Sequence, residues 1–410
     1  MMFVNFCNIS AKDDFKLRSK TSHIFQVDAR FGKCYNIWST AEAVIRNFTH
    51  QRKSYPIKAI AWHPHLTMFA VNLKDDTIRV FMVKRGLIKL LNHRKQINVS
   101  CCAWRPLSSS VLAVGCENGV IIWNVNQNSL GVRQGPSSAR LLTYSGHTIL
   151  TSISWSPGGR LLVSGSALNG VMIVWDVAMD CGTALHRIGG SISQVMWSPC
   201  DTKVFVSTES SLIRVWETQK WTCEKWTNLA SKCQAACWSP DGRFLVFSVL
   251  ERKSLYYLKF CEPVERTGME DFNIGGAKMA VECADLTEYS WEVNDTIVRV
   301  GGFVSSMTWD PTGERLALLL KDENGKAQDY IPVFKTNIEN VLDLIPSGLI
   351  HGLPSNGQPQ LISFQKNFTQ GALLSVVWSN GEMSFVPMLF TPKKIIMQNG
   401  IASSRDIGIG

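Results

Sequence analysis

"IAWHPHLTMFAVNLKDDTIRVF", residues 60–81, ends one apolar run in Trp62-His63-Pro64, then passes through a second alternating run, a turn at Asp75-Asp76, and a third run closing on an aromatic. The tryptophan followed two positions later by a proline decides the fold, because it recurs. Trp62, Trp104, Trp155, Trp197, Trp238 and Trp309 each stand two residues before a proline, at steps of 42, 51, 42, 41 and 71 residues. Proline cannot donate to a β-ladder, so it belongs just past a strand, where it opens a turn. The aromatic then sits at the strand's end, where it caps the gap between neighbouring sheets.

The residues after each proline repeat as well. "PGGRLLVSG" (157–165), "PDGRFLVFS" (240–248) and "PTGERLALL" (311–319) each give a Gly- or Asp-bearing turn and then a strand. A third segment ends in an aromatic plus a polar residue: "IIWN" (121–124), "IVWD" (173–176) and "RVWE" (214–217). Three of the steps fall within the roughly 40–45 residues of a WD40 blade, and Gly146-His147 precedes its blade where that repeat uses Gly-His. Burying one such Trp removes about 200 Å² from water, worth about 5 kcal/mol gross as an upper bound. Units of this kind cannot bury their faces alone and must stack.

The count comes to seven. Trp378 follows "ALLSVV" and reads as the end of a second strand, so "LISFQKN" supplies the first strand, with Phe364 in the Trp position and Lys366 in the Pro position. The 71-residue step is too short for two blades and holds one blade with an insertion near 261–285. The expected architecture is all-β: a single seven-bladed WD40 β-propeller over residues 56–390, with a short, partly helical N-terminal extension over 1–55. Within that extension, "SHIFQVDA" (22–29) alternates suitably for a ring-closing strand, with "KKIIMQ" (393–398) as the local alternative, and "TAEAVIRNF" (40–48) has the spacing of a short helix. Residues 391–410 read as a loose tail.

Composition agrees with a packed, non-membrane chain. Of 410 residues, 45% are hydrophobic and 18% charged, which excludes a mainly disordered polymer. No apolar run approaches the roughly 20 residues of a membrane span, and "MMFVNFCNIS" lacks a charged region followed by an apolar one, so no secretory leader is expected. The 12 cysteines include no Cys-x-x-Cys, and several lie in strand-like runs such as "NVSCCAW" and "CQAACW". They read as small buried thiols in a reducing compartment rather than disulfides or zinc ligands.

The sequence holds no motif of a catalytic, cofactor or metal site. There is no Gly-x-Ser-x-Gly elbow, P-loop or Gly-x-Gly-x-x-Gly. His63 and His65 flank a proline with no third ligand near in sequence and read as a solvated turn. His147 reads as structural, hydrogen-bonding within its own blade, with Asn169 at the position of its carboxylate partner. Charge is the other feature. The net +9 is uneven, with about +6 in residues 1–60, and "KRGLIKLLNHRKQ" (84–96) carries Lys84, Arg85, Lys89, Arg94 and Lys95 with no acid. Either this is a basic partner surface or a solvated outer strand guarding the blade edge. It has no aromatics to stack on bases, which argues against direct nucleic-acid binding. Trp221 and Trp226 in "WETQKWTCEKW" stand beyond Trp216 and are candidates for a rim contact, with inter-blade packing as the alternative.

Several stretches are more specific than the repeat. "VWETQKWTCEKWTNLASKCQAACWSPDGRFLVFSVL" (215–250), "AWHPHLTMFAVNLKDDTIRV", "PLSSSVLAVGC" (106–116), "GGAKMAVECADLTE" (275–288) and "FTQGALLSVVWSNG" (368–381) resemble the aladin family of WD-repeat nucleoporins over roughly residues 40–390. The resemblance implies a non-catalytic scaffold of the nuclear pore complex, held at the nuclear envelope by a transmembrane nucleoporin. It also implies protein partners among other pore subunits, one copy within a larger assembly, and links to nuclear protein import and spindle assembly. The competing reading is a WD40 adaptor of another complex, such as a ubiquitin-ligase substrate receptor or an RNA-associated scaffold.

Overall fold

The computed structural model describes residues 4–6 and 57–390, apart from 84–86, 130, 187–189, 228, 261–278, 288, 294–295, 339–340 and 353–356. Its strands form seven antiparallel blades in chain order: blade 1 (57–91), blade 2 (101–142), blade 3 (150–186), blade 4 (192–226), blade 5 (233–285), blade 6 (303–351) and blade 7 (359–389). Within each blade the strands pair in order of sequence. The first strands of blades 1 and 2, 2 and 3, 3 and 4, 5 and 6, 6 and 7, and 7 and 1 lie against one another, so these strands surround the centre and the ring is closed.

A bend is built into the first strand. In six blades the pairing of first and second strands shifts five residues before the aromatic, at Ile57, Leu150, Ile192, Cys233, Val304 and Pro359. Such a bulge kinks the strand and raises its twist, which suits the crowded centre of a ring. Blade 2, with a shorter first strand of four residues (Cys101–Trp104), pairs without it.

The apolar core divides into seven clusters, and each lies between two blades rather than within one. Trp104 belongs to the cluster joining blades 1 and 2, Trp155 to 2 and 3, Trp197 to 3 and 4, and Trp238 to 4 and 5. Trp309 belongs to the joint of blades 5 and 6, Phe364 to 6 and 7, and Trp62 to 7 and 1. Each aromatic at the end of a first strand is thus buried in the joint with the preceding blade. The joint that closes the ring is of the same kind: Trp62, Phe69 and Phe81 of blade 1 pack on Leu373, Met383 and Phe385 of blade 7, and Trp62 Nε1 donates to Ser375 Oγ at 2.9 Å.

The irregular sector is blades 5 to 7. The sequence places an insertion near 261–285, but Val281–Asp285 pairs with Ser254–Lys259 as the fourth strand of blade 5, because the chain after residue 278 is needed to cover that blade's outer edge. The remaining extra length between blades 5 and 6 is a two-stranded hairpin, Tyr289–Val293 with Thr296–Val300. Residues 261–278 lie outside the described residues. Blade 6 gains a fifth strand, Val4–Phe6, antiparallel to its fourth, so residues within the expected 1–55 extension contribute to the ring. Blade 7 has three strands among the described residues. The two segments expected to complete it, 22–29 and 393–398, lie outside the described residues, as do the helix expected over 40–48 and the tail 391–410.

Candidate functional site

Antiparallel pairing puts the turns between first and second strands, and between third and fourth, on one face of the ring. The links between second and third strands, and from blade to blade, lie on the other. The first face carries the Trp-x-Pro turns, and the residue between Trp and Pro explains them. Ser156, Ser198 and Ser239 are buried, and each hydroxyl accepts the backbone N–H five residues on, from Leu161, Lys203 and Phe244, at 2.9–3.0 Å. Asp310 does the same for Arg315 N at 2.6 Å and Thr312 N at 3.1 Å, and burial raises its carboxyl above the usual range against the pull of those bonds. Small hydroxyl and carboxylate side chains are the ones able to cap their own turn.

The same position in blade 1 is His63. The sequence reads it as part of a solvated turn, but the ring is fully buried. Its Nδ1 accepts from His65 N and Leu66 N at 3.0 and 2.9 Å, which leaves the proton on Nε2 to donate to Ser108 O at 3.0 Å. The larger side chain is tolerated because it reaches the turn of blade 2. Burial lowers the His63 pKa to about 4. In blade 2, Arg105 reaches forward in turn: Nε donates to Gly159 O at 2.6 Å and the guanidinium lies 5.7 Å from the Trp155 ring. Gly159 is required there, since its φ is +68° and a Cβ would meet Pro106 O at 2.5 Å.

The indoles extend the same logic. Trp104 Nε1 donates to Ala61 O, Trp155 Nε1 to Ala103 O and Trp238 Nε1 to Met196 O, at 3.0, 3.0 and 3.4 Å. Each acceptor is the residue just before the aromatic of the preceding blade. Trp197 and Trp309 instead donate within their own blades, to Asp201 O and Thr336 Oγ1. In blade 3, Trp175 Nε1 donates to Ser164 Oγ at 2.9 Å, and His147 Nε2 lies 2.8 Å from the same hydroxyl. Asn169 turns away and donates to Gly146 O, so the buried His147 Nδ1 has no partner among the described residues. Burial lowers the His147 pKa to about 4.

The basic stretch 84–96 does not form one surface. Lys84 and Arg85 lie outside the described residues. Lys89 is only 2% exposed, and its ammonium donates to Ser129 O and Gly131 O. There it holds a loop of blade 2 whose backbone pairs with the outer edge of blade 1, Leu90 N to Val132 O at 2.8 Å and Gln134 N to Leu90 O at 3.1 Å. Lys89 is therefore neither a solvated edge residue nor an accessible docking residue. Arg94 and Lys95 are exposed, on the face opposite the Trp-x-Pro turns. Trp221 and Trp226 are half-buried: Trp221 packs edge-on against Trp197 of its own blade, 6.1 Å between rings, and Trp226 against Phe260 of blade 5 at 6.2 Å. Trp226 thus makes the inter-blade contact of the alternative reading, Trp221 makes a contact within its own blade, and both keep part of their surface exposed.

Burial pushes the thiols of Cys101 to about 11 and of Cys102, Cys116 and Cys233 to about 12, which suppresses the reactive thiolate. Among the described residues no group of three or more His, Cys, Asp or Glu could hold a metal ion, and no helix is long and apolar enough to cross a membrane.

Comparison with known proteins agrees with this geometry. A family model described as the Aladin seven-bladed propeller matches residues 40–389. Aladin of Arabidopsis thaliana is 27% identical over 356 residues, 82% of this chain and 76% of that protein. The F-box-like/WD repeat-containing protein TBL1X of Mus musculus is 23% identical over 133 residues, 31% of this chain and 25% of that one. Among solved structures, a chain of the Crystal Structure of Mitotic Checkpoint Complex superposes with a TM-score of 0.57 at 16% identity, covering 83% of this chain and 92% of that one, a likeness of fold alone.

Proposed function

The chain belongs to the Aladin seven-bladed propeller family, and on that premise we propose that it acts as a non-catalytic scaffold subunit of the nuclear pore complex. In this reading it docks to a transmembrane nucleoporin at the nuclear envelope, supports protein import, and also serves spindle assembly. The observation that carries the proposal is the extent of the family match: it runs from residue 40 to 389, through all seven blades and the atypical spacing between blades 5 and 6. The chain has the build that suits a scaffold, with seven interlocked joints and two faces of rigidly held loops.

A fluorescently tagged full chain in dividing cells tests it. Signal at the nuclear rim in interphase, with co-purification of pore subunits, is the expected result. Diffuse signal with co-purification of ubiquitin-ligase subunits or RNA would favour the adaptor reading, to which the TBL1X likeness over less than a third of the chain gives weaker support.

A further inference from the structure

We propose that the face opposite the Trp-x-Pro turns, over blades 1 to 3, docks an acidic, aliphatic-rich peptide segment of a partner protein; the proposal rests on the scaffold reading and specifies where and what it binds. Ile97, Ile149 and Leu168 stand 45%, 43% and 60% exposed. They are neighbours through a chain of backbone bonds: Glu117 N donates to Ile97 O, Ile149 N to Glu117 O, and Ala167 N to Ile149 O, at 2.8–3.0 Å. Three aliphatic side chains left in water along one arc are the kind of patch that marks a contact surface. Ile149 adds a second observation. Its φ of 51° is a left-handed conformation that a β-branched residue adopts only at a cost. In blade 2 the same position, six residues before the Trp, is Asn98 at φ 50°, a residue that tolerates it.

Charge selects the occupant. Arg94 and Lys95 are exposed in the loop that carries Ile97, and among the described residues neither takes part in an ion pair. Of the acids around them, Asp76 has a cationic partner, while Asp75 and Glu117 are bonded by neutral donors and keep their charge, offset in part by the exposed Lys74. Asp76 accepts from Asn98 N, Val99 N and Lys58 Nζ at 2.8–3.1 Å, Asp75 accepts from Thr77, and Glu117 accepts from Asn98 Nδ2. Farther round the same face the aliphatic side chains give way to polar ones. Ser191 and Lys232 stand in place of the isoleucines as acceptors of the corresponding backbone bonds, from Glu209 N and Leu250 N. Lys232 and Lys253 are paired there, with Glu209 at 2.6 Å and Glu323 at 2.9 Å, while Arg252 and Lys326 are exposed without the aliphatic neighbours. The arc over blades 1 to 3 thus offers aliphatic surface beside unpaired positive charge, which suits a segment interleaving Asp or Glu with Leu, Ile or Phe.

The test is selection of a displayed random-peptide library on the immobilised full chain, with the enriched peptides then synthesised and titrated. Acidic, aliphatic-rich sequences are expected, binding at least tenfold more weakly to the R94E/K95E variant and not measurably to the I97D/L168D variant, with K253E unchanged. I149N is expected to weaken binding with a melting temperature at or above that of the parent, which separates docking from folding. Enrichment of basic sequences, no enrichment, or binding indifferent to these variants overturns the proposal. So does capture of vesicles of phosphatidylserine and phosphatidylcholine that depends on Arg94 and Lys95 while no peptide is enriched, since the surface is then a lipid one. Tagged chain at the nuclear rim without peptide selectivity removes this surface and leaves the scaffold reading standing. Peptide selectivity with no rim signal does the reverse.

Discussion

The two faces of the ring spend their side chains differently. On the Trp-x-Pro face, polar groups turn inward: Ser156, Ser198, Ser239, Asp310 and His63 are buried, each bonded to its own turn, and Arg105 is clamped into the next blade. On the opposite face over blades 1 to 3, apolar groups turn outward: Ile97, Ile149 and Leu168 stand in water beside Arg94 and Lys95. The buried groups of the first face join blades together, although Leu107 and Met179 stand 76% and 75% exposed in its turns; the second face gathers its exposed aliphatics into one arc. Substitutions on the first should therefore change stability and leave docking unaffected, and substitutions on the second should do the opposite.

The largest expected effect is at a joint. Trp155→Ala should cost about 3–5 kcal/mol, the range for large-to-small core changes, read as a lower midpoint in denaturant. Asp310→Ala comes next, at about 1–3 kcal/mol, because it removes the charged acceptor that the part-buried Arg315 and Thr312 N–H groups share. A loss as large on replacing exposed Leu168 by Ala would erase the contrast between the faces.

Acid sharpens the contrast further. His63 and His147 have folded pKa values near 4 against an ordinary 6.5, so the unfolded chain takes up protons first as the pH falls. Their contribution is fully present above pH 6.5 and is lost as the pH drops towards 4, by up to about 1.4 kcal/mol per pH unit for each histidine. His63→Ser, which installs the residue used by blades 3, 4 and 5, should flatten that slope in melts between pH 7 and 4.5. An unchanged slope would show that His63 does not stay neutral in the fold. The smallest effect is on the other face, where Ile149→Asn should stabilise by a few tenths to about 1 kcal/mol by relieving the left-handed strain.

The fold was legible because its signal is periodic. Trp-x-Pro marks each first strand, and the aromatics fall where a stack of sheets has its joints, including Phe364, which lacks both the tryptophan and the proline. Charge was the misleading signal. Lys89 reads like Arg94 in sequence, yet one is sealed under a loop of the next blade and the other is exposed, a difference made by Ser129, Gly131, Val132 and Gln134 some 40 positions away. The buried turn caps were also missed, although Ser, Ser, Ser and Asp at one repeated position after Trp is a pattern that capping chemistry explains. The aliphatic arc had no sequence signal, since Ile97, Ile149 and Leu168 become neighbours only when blades 2 and 3 are stacked.

The central claim is that the aromatics lock each blade to the one before it, and indole N–H exchange in the full chain, with ¹⁵N-labelled tryptophan followed by NMR, tests it most directly. The indoles of Trp62, Trp104 and Trp155, which donate across joints, should exchange only through global unfolding and slow together. A Trp155 indole proton that exchanges on the timescale of an exposed indole, while the fold remains intact, would contradict the account.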